Sequence, residues 1–129
     1  MSEWQATTEG IRVQVEARYH PEESAPSNGY FFFSYRVEIF NEGAFPVRLV
    51  SRRWMITDGH GRQRQVEGPG VVGQQPLLEP GGAFEYRSAC PLPTSIGSME
   101  GTYQMVREDG TEFDANIPAF TLADPASLN

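Results

Sequence analysis

One stretch limits the possible folds more than any other. Between Tyr30 and Phe40, Phe31, Phe33, Tyr35, Val37 and Ile39 fall on one side of an extended chain, and Tyr30, Phe32, Ser34, Arg36, Glu38 and Phe40 on the other. A period of two is the mark of a half-buried β-strand, and the odd-numbered side is the one a core would take. After the polar turn Asn41 to Pro46, a second apolar arm runs to Asp58, so Tyr30 to Asp58 reads as a central hairpin. The second arm changes parity: Val47 and Leu49 share one phase, Trp54 and Ile56 the other. One residue inserted near Ser51 to Arg53, a β-bulge, accounts for the change.

At 129 residues the chain fits a single domain, with a core over about residues 11–122 and frayed ends. Ten arginines, no lysine and 17 acidic residues give a net charge of -7. That balance argues against a nucleic-acid backbone or an anionic membrane as the main partner. Without lysine, Schiff-base chemistry, a phosphate-binding P-loop lysine and a lysine general base are excluded. A single cysteine, Cys90, cannot form an internal disulfide, which points to a reducing compartment. Residues 1–20 carry Glu3, Glu9, Arg12 and Glu16 without an apolar run, and no stretch is long enough to span a bilayer. The expectation is a cytoplasmic protein.

Along the rest of the chain, Met1 to Glu9 reads as loosely extended, and Ile11, Val13, Val15 and Ala17 as the inner side of a first strand. His20 to Gly29 is a surface connection rich in Pro, Ser, Asn and Gly. Asp58 to Gly61 is a turn, followed by a short polar strand, Arg62 to Val66, and an irregular segment, Glu67 to Gly82. Phe84 and Tyr86 mark another strand. Met99 to Arg107 and Thr111 to Ile117 form a hairpin about Glu108-Asp109-Gly110, with Pro118 interrupting the last strand and the tail from Ala119 to Asn129 continuing along an edge before fraying.

No segment holds a helical period, and about seven or more antiparallel strands at even spacing predict an all-β, immunoglobulin or fibronectin type III-like β-sandwich. Trp54 stands where such domains carry their core tryptophan. Gly101-Thr102-Tyr103-Gln104-Met105 stands where they carry a tyrosine corner, with Met105 in the place of an antibody cysteine.

The runs RRWMITDGHGR, VEGPGVVGQQPLLEPGGAFEYRSACPL, GSMEGTYQM and IPAFTL, spaced as they are between about Val13 and Leu122, closely resemble the bacterial ApaG family. The resemblance implies the same sandwich fold and, from related domains in eukaryotic F-box proteins and in a protein that interacts with a DNA polymerase, an interaction module. It also implies an association with cobalt resistance and magnesium efflux, read here as an indirect effect.

Gly68-Pro69-Gly70-Val71-Val72-Gly73 satisfies GxGxxG, which in dinucleotide folds lets the backbone approach a pyrophosphate at a helix N-terminus. Pro76 and Pro80 forbid that helix, and the bland reading is a loop whose glycines meet positive φ or close packing. Between these lies an anion-binding nest of amides at Gly68, Gly70 and Gly73 with Arg62 or Arg64 beside it. His20, His60 and Cys90 are too scattered for a transition-metal pattern, and DGHG around Asp58 and His60 is more often a turn. Ser88 and Cys90 lack a neighbouring histidine and orienting carboxylate in sequence, so no catalytic residue, metal site or cofactor is expected.

Phe32 and Phe40 occupy the side of the first arm that needs no bulk, and Arg48, Arg52 and Arg53 gather on the second. Aromatics beside arginine are the composition of a protein interface, unless a second sheet or loop covers the phenylalanines. The sequence thus leads to a noncatalytic protein-interaction domain with an unidentified protein partner, its contacts around Arg52 to Val72. Anion or nucleotide binding through Gly68 to Gly73 is the alternative.

Overall fold

The alternation seen in the sequence becomes two facing antiparallel sheets in the computed structural model, which describes residues 3–128. The first sheet has the order β1 (Glu3–Thr8), β2 (Ile11–Tyr19), β3 (Phe33–Asn41), β7 (Ala83–Ala89). The second has the order β5 (Gln63–Pro69), β4 (Val47–Asp58), β8 (Ile96–Arg107), β9 (Glu112–Ala123), and the two-residue β6 (Leu77–Leu78) pairs with the start of β4. With β2-β3-β7 facing β5-β4-β8-β9, the arrangement is that of an immunoglobulin or fibronectin type III-like sandwich. Ile11, Val13 and Val15 of β2 and Phe33, Tyr35, Val37 and Ile39 of β3 meet Leu49, Trp54, Ile56, Tyr103 and Met105 across one continuous core.

β3 and β4 do not form a hairpin. β3 pairs with β2 and β7, whereas β4 pairs with β5, β6 and β8, so the turn between them crosses from one sheet to the other. Two amphipathic strands joined by a short polar turn satisfy either arrangement locally, and here each has a buried face to set against the same core. The crossing is held by Asn41, only 2% exposed. Its side-chain amide donates to the carbonyls of Phe45 at 2.8 Å and Leu78 at 2.9 Å, and its Oδ1 accepts the Gly43 N–H at 2.9 Å. Its own N–H and C=O bond Gly82 and Gly81. A buried polar side chain satisfied this completely stabilises one crossing geometry over others.

Three further expectations change. Residues 3–8 of the segment read as loosely extended form β1, paired with β2 throughout, with Trp4 packed on Phe120 at 5.8 Å between ring centroids. The interruption at Pro118 is only a register shift opposite Met99 and Gly101, and β9 follows the sheet edge beyond it to Ala123, as the tail was expected to do. The bulge in β4 lies at Val50, between Leu49 and Ser51, rather than at Ser51 to Arg53. From there Ser51 and Arg53 face outward, while Arg52, opposite the buried Tyr103, turns toward the core side with Trp54.

Trp54 and Tyr103 hold the central positions expected of them, ring edge to face at 6.4 Å. The Tyr103 hydroxyl, however, bonds the Tyr86 hydroxyl of the opposite sheet at 2.5 Å rather than a backbone group. On one side the sandwich is closed by β1 and β9, where the Asn116 N–H donates to Thr8 Oγ1 at 3.0 Å. On the other, β7 and β5 are the outer strands of their sheets, and the glycine-rich segment leaves β5 on this side.

Candidate interaction site at the glycine-rich loop

The loop is built from β4 outward. β5 pairs with β4 as far as Pro69 opposite Ser51, and the Gly70 N–H then donates to the carbonyl of the bulge residue Val50 at 2.8 Å. Val71 and Gln74 exchange backbone bonds of 2.8 and 2.9 Å, closing a tight turn with Val72 at φ 43° and Gly73 at φ 79°. Two successive residues at positive φ make a type I′ turn, which a β-branched valine rarely enters. Val71 is fully buried and anchors the turn, so Val72, 55% exposed, is held outward on a rigid stalk. The descending limb is tied back to β4: Gln75 Nε2 donates to Val50 O at 2.8 Å, Arg48 Nη1 to Gln75 O at 2.7 Å and the Leu49 N–H to Pro76 O at 3.0 Å.

Two of the glycines have assignable tasks. Arg52 lies opposite Gly68, and a Cβ on Gly68 would stand 3.1 Å from both terminal guanidinium nitrogens. From there Arg52 Nη1 donates to the carbonyls of Pro69 at 3.1 Å and Gly70 at 2.9 Å. Gly70 sits at φ 59°, where a Cβ would come within 2.1 Å of Gln74 O. The loop therefore turns carbonyl oxygens toward a cation of its own chain, and the amides of Gly70 and Val71 are already bonded.

Burial pushes the phenols of Tyr35, Tyr86 and Tyr103 above their ordinary range, with the charge of Arg52 acting weakly the other way. Burial likewise pushes the Cys90 thiol up, against a smaller pull from Arg64, so its reactive thiolate is disfavoured. Ser88 lies beside the Tyr35 hydroxyl. The His20 ring bonds Ser34 on the outer side of the same sheet at 2.6 Å, and the His60 N–H bonds Asp58 in the 58–61 turn. The sheet thus stands between Ser88 or Cys90 and His20.

The five residues read as a contact patch are divided between the two sheets. Phe32 packs against His20, 5.6 Å between centroids, and Phe40 lies under the Arg12 guanidinium at 4.1 Å, both half-buried on the first sheet. Arg48, Arg52 and Arg53 belong to β4, with Arg52 turned inward and Arg53 paired to Glu67 at 3.1 Å. The anion residues are also separated. At about 3.3 Å per strand residue, Arg62 and Arg64 stand roughly 20 Å or more from Gly70, at the far end of β5.

What the structure does bring together is an outward surface around the bulge. Val50 is shared by two adjoining depressions, one bordered by Arg53, Glu67 and Gln75, the other by Pro46, Arg48 and Leu77. Leu77 is 46% exposed and Phe45, at the sheet crossing, 67%. Val72 closes the Arg52 to Val72 stretch expected to make the contacts, whereas Val50 within β4, Leu77 and Phe45 were not singled out from sequence, although a leucine between prolines is a usable signal for an apolar side chain fixed on a turn. Among the described residues, one group of potential metal ligands converges, His20, Glu22 and Glu23, away from this surface.

Comparison with known proteins follows the same lines. The model of the family described as ApaG domain matches residues 21–107. A protein named ApaG from Anaeromyxobacter dehalogenans is 57% identical over 124 residues, covering 96% of this chain and 98% of the relative. One of the same name from Pseudomonas aeruginosa is 50% identical over 123 residues, covering 95% and 98%. A crystal structure of an ApaA-named protein from Bordetella pertussis superposes with a TM-score of 0.87 at 53% identity, covering 89% of this chain and 94% of that one.

Proposed function

This chain belongs to the ApaG domain family, and from that premise we propose that it is a noncatalytic protein-interaction module whose contact face is the bulge-centred surface of β4 and the glycine-rich loop. The observation that carries the reading is the combination of Val50 and Leu77 between Arg48 and Arg53 with Val72 held out on a preformed turn. A rigid surface of apolar side chains and arginines binds with little ordering cost, since its backbone is already in place. Arg52 lines the same depression as Arg53 and braces the loop through the carbonyls of Pro69 and Gly70. Association with cobalt resistance and magnesium efflux would then run indirectly, through the partner. A cytoplasmic location is part of the same proposal, consistent with the free, buried Cys90.

Anion or nucleotide binding at Gly68 to Gly73 is the rival reading. It ranks second because the loop turns the carbonyls of Pro69 and Gly70 toward Arg52, and the amides of Gly70 and Val71 are already bonded, to Val50 and Gln74.

The test is affinity capture from cell extract, with the captured protein then purified and titrated by calorimetry. Leu77→Asp and Arg53→Glu are expected to weaken that binary complex at least about tenfold, the effect of losing about 1.4 kcal/mol at an interface. The free Leu77→Asp variant should keep its thermal midpoint, and Arg53→Glu should lower it only slightly, through loss of the exposed cross-strand pair with Glu67. Undiminished affinity in both variants would place the contact elsewhere.

A further inference from the structure

We propose that His20, Glu22 and Glu23 form a binding site for a divalent transition ion of tetrahedral preference, with zinc as its type. The site belongs to the first sheet and is independent of the interaction face on the second. His20 Nδ1 stands 3.4 Å from Glu22 Oε1 and 3.5 Å from Glu23 Oε2, and the ligand atoms of all three residues lie within 4.8 Å of one another. Ligands about 2.0 to 2.1 Å from zinc occupy tetrahedron corners about 3.4 Å apart, so small movements of two exposed carboxylates complete three corners. Octahedral magnesium at a similar radius needs neighbouring oxygens about 2.9 Å apart and takes few nitrogen ligands, which disfavours it here.

The imidazole is already oriented for the task. Its Nε2 lies 2.6 Å from Ser34 Oγ on β3, so an Nε2–H donating to Ser34 leaves the Nδ1 lone pair facing the carboxylates. Its ring edge packs on Phe32. The two carboxylates come from a single 3₁₀ turn, Pro21–Glu23, whose position is set from both ends. Ser24 Oγ donates to His20 O at 2.7 Å and accepts the Phe32 N–H at 2.9 Å, and the His20 N–H bonds Phe32 O at 3.0 Å.

Zinc titrated into the purified protein at neutral pH, followed by calorimetry and by long-range ¹⁵N spectra of the two imidazoles, tests the site. Expected is one equivalent bound, a shift of His20 Nδ1 with His60 unmoved, and no response to magnesium. His20→Gln should abolish binding, and Glu22→Gln and Glu23→Gln should each weaken it at least tenfold. Ser34→Ala should weaken it roughly tenfold through loss of ring orientation. Glu22 and Glu23 are surface residues, so their variants should keep the metal-free thermal midpoint. Equal zinc response at His60, binding retained in His20→Gln, or magnesium binding as well as zinc would overturn the proposal.

Discussion

Arg52 Nη1 donates to the carbonyl of Gly70 at 2.9 Å, so the cation seated at the start of the glycine-rich loop comes from the chain itself, as does Arg48 at Gln75 on the descending limb. This relationship depends on the bulge at Val50, which turns Arg52 to the inner side, and on Gly68, whose missing side chain lets the guanidinium lie against the backbone. The glycines shape a stalk around an internal ion.

Gly70→Ala is expected to destabilise the fold by about 2 kcal/mol or more, since it adds a left-handed penalty to a backbone collision. That corresponds to a fall in thermal midpoint of several degrees for a domain of this size. ATP, GTP or pyrophosphate should protect neither form. A ligand at 100 times its dissociation constant would stabilise by about 2.7 kcal/mol, so calorimetric scans with and without each compound separate the two readings.

The Tyr86 and Tyr103 hydroxyls satisfy one another between the sheets. Each Phe substitution alone should cost about 1 to 3 kcal/mol, because it strands a buried hydroxyl. The double variant should cost clearly less than the sum. Urea unfolding of the four proteins measures the coupling, and strict additivity would mean the two hydroxyls do not depend on one another.

Alkaline pH should weaken the fold through the same residues. Burial raises Tyr35, Tyr86 and Tyr103 above their unfolded value of 10.0, so the folded state keeps protons the unfolded state has lost. Stability is therefore fully present below about pH 10 and falls as pH rises beyond it, by about 1.4 kcal/mol per unit for each such group. Denaturation midpoints measured from neutral to alkaline pH should be level at first and then drop, less steeply in Tyr86→Phe.

Asn41→Leu removes the bonds to Phe45, Leu78 and Gly43 at the crossing between sheets. The expected loss is about 3 kcal/mol, since several buried backbone groups lose a partner together. Amide exchange should show early opening at Gly43, whose N–H loses its acceptor, while the β2–β3 ladder keeps its protection.

The sandwich was legible because β2 and β3 alternate cleanly, and Trp54 and Tyr103 stand at their expected places. The pairing of β3 and β4 was not, because their partners β7 and β8 lie far along the chain and a polar turn suits a hairpin or a crossing equally. The contact residues suffered most from a single displaced residue. With the bulge at Val50, Arg52 faces inward and Val50 becomes the centre of the outer surface, whereas a bulge after Ser51 can leave Arg52 outside. The short run His20-Pro21-Glu22-Glu23 reads from sequence as a polar surface connection, because the convergence of its side chains depends on a 3₁₀ turn and on Ser34, fourteen residues from His20.

The most direct measurement is site-specific photocrosslinking in the cell, with benzoylphenylalanine placed in turn at Val72, Leu77 and, as a control, Arg87 on the exposed side of β7. Expected is one discrete adduct of the same partner from positions 72 and 77, and none from 87. Adducts absent at 72 and 77, or equally strong at 87, would contradict an interaction face centred on the bulge.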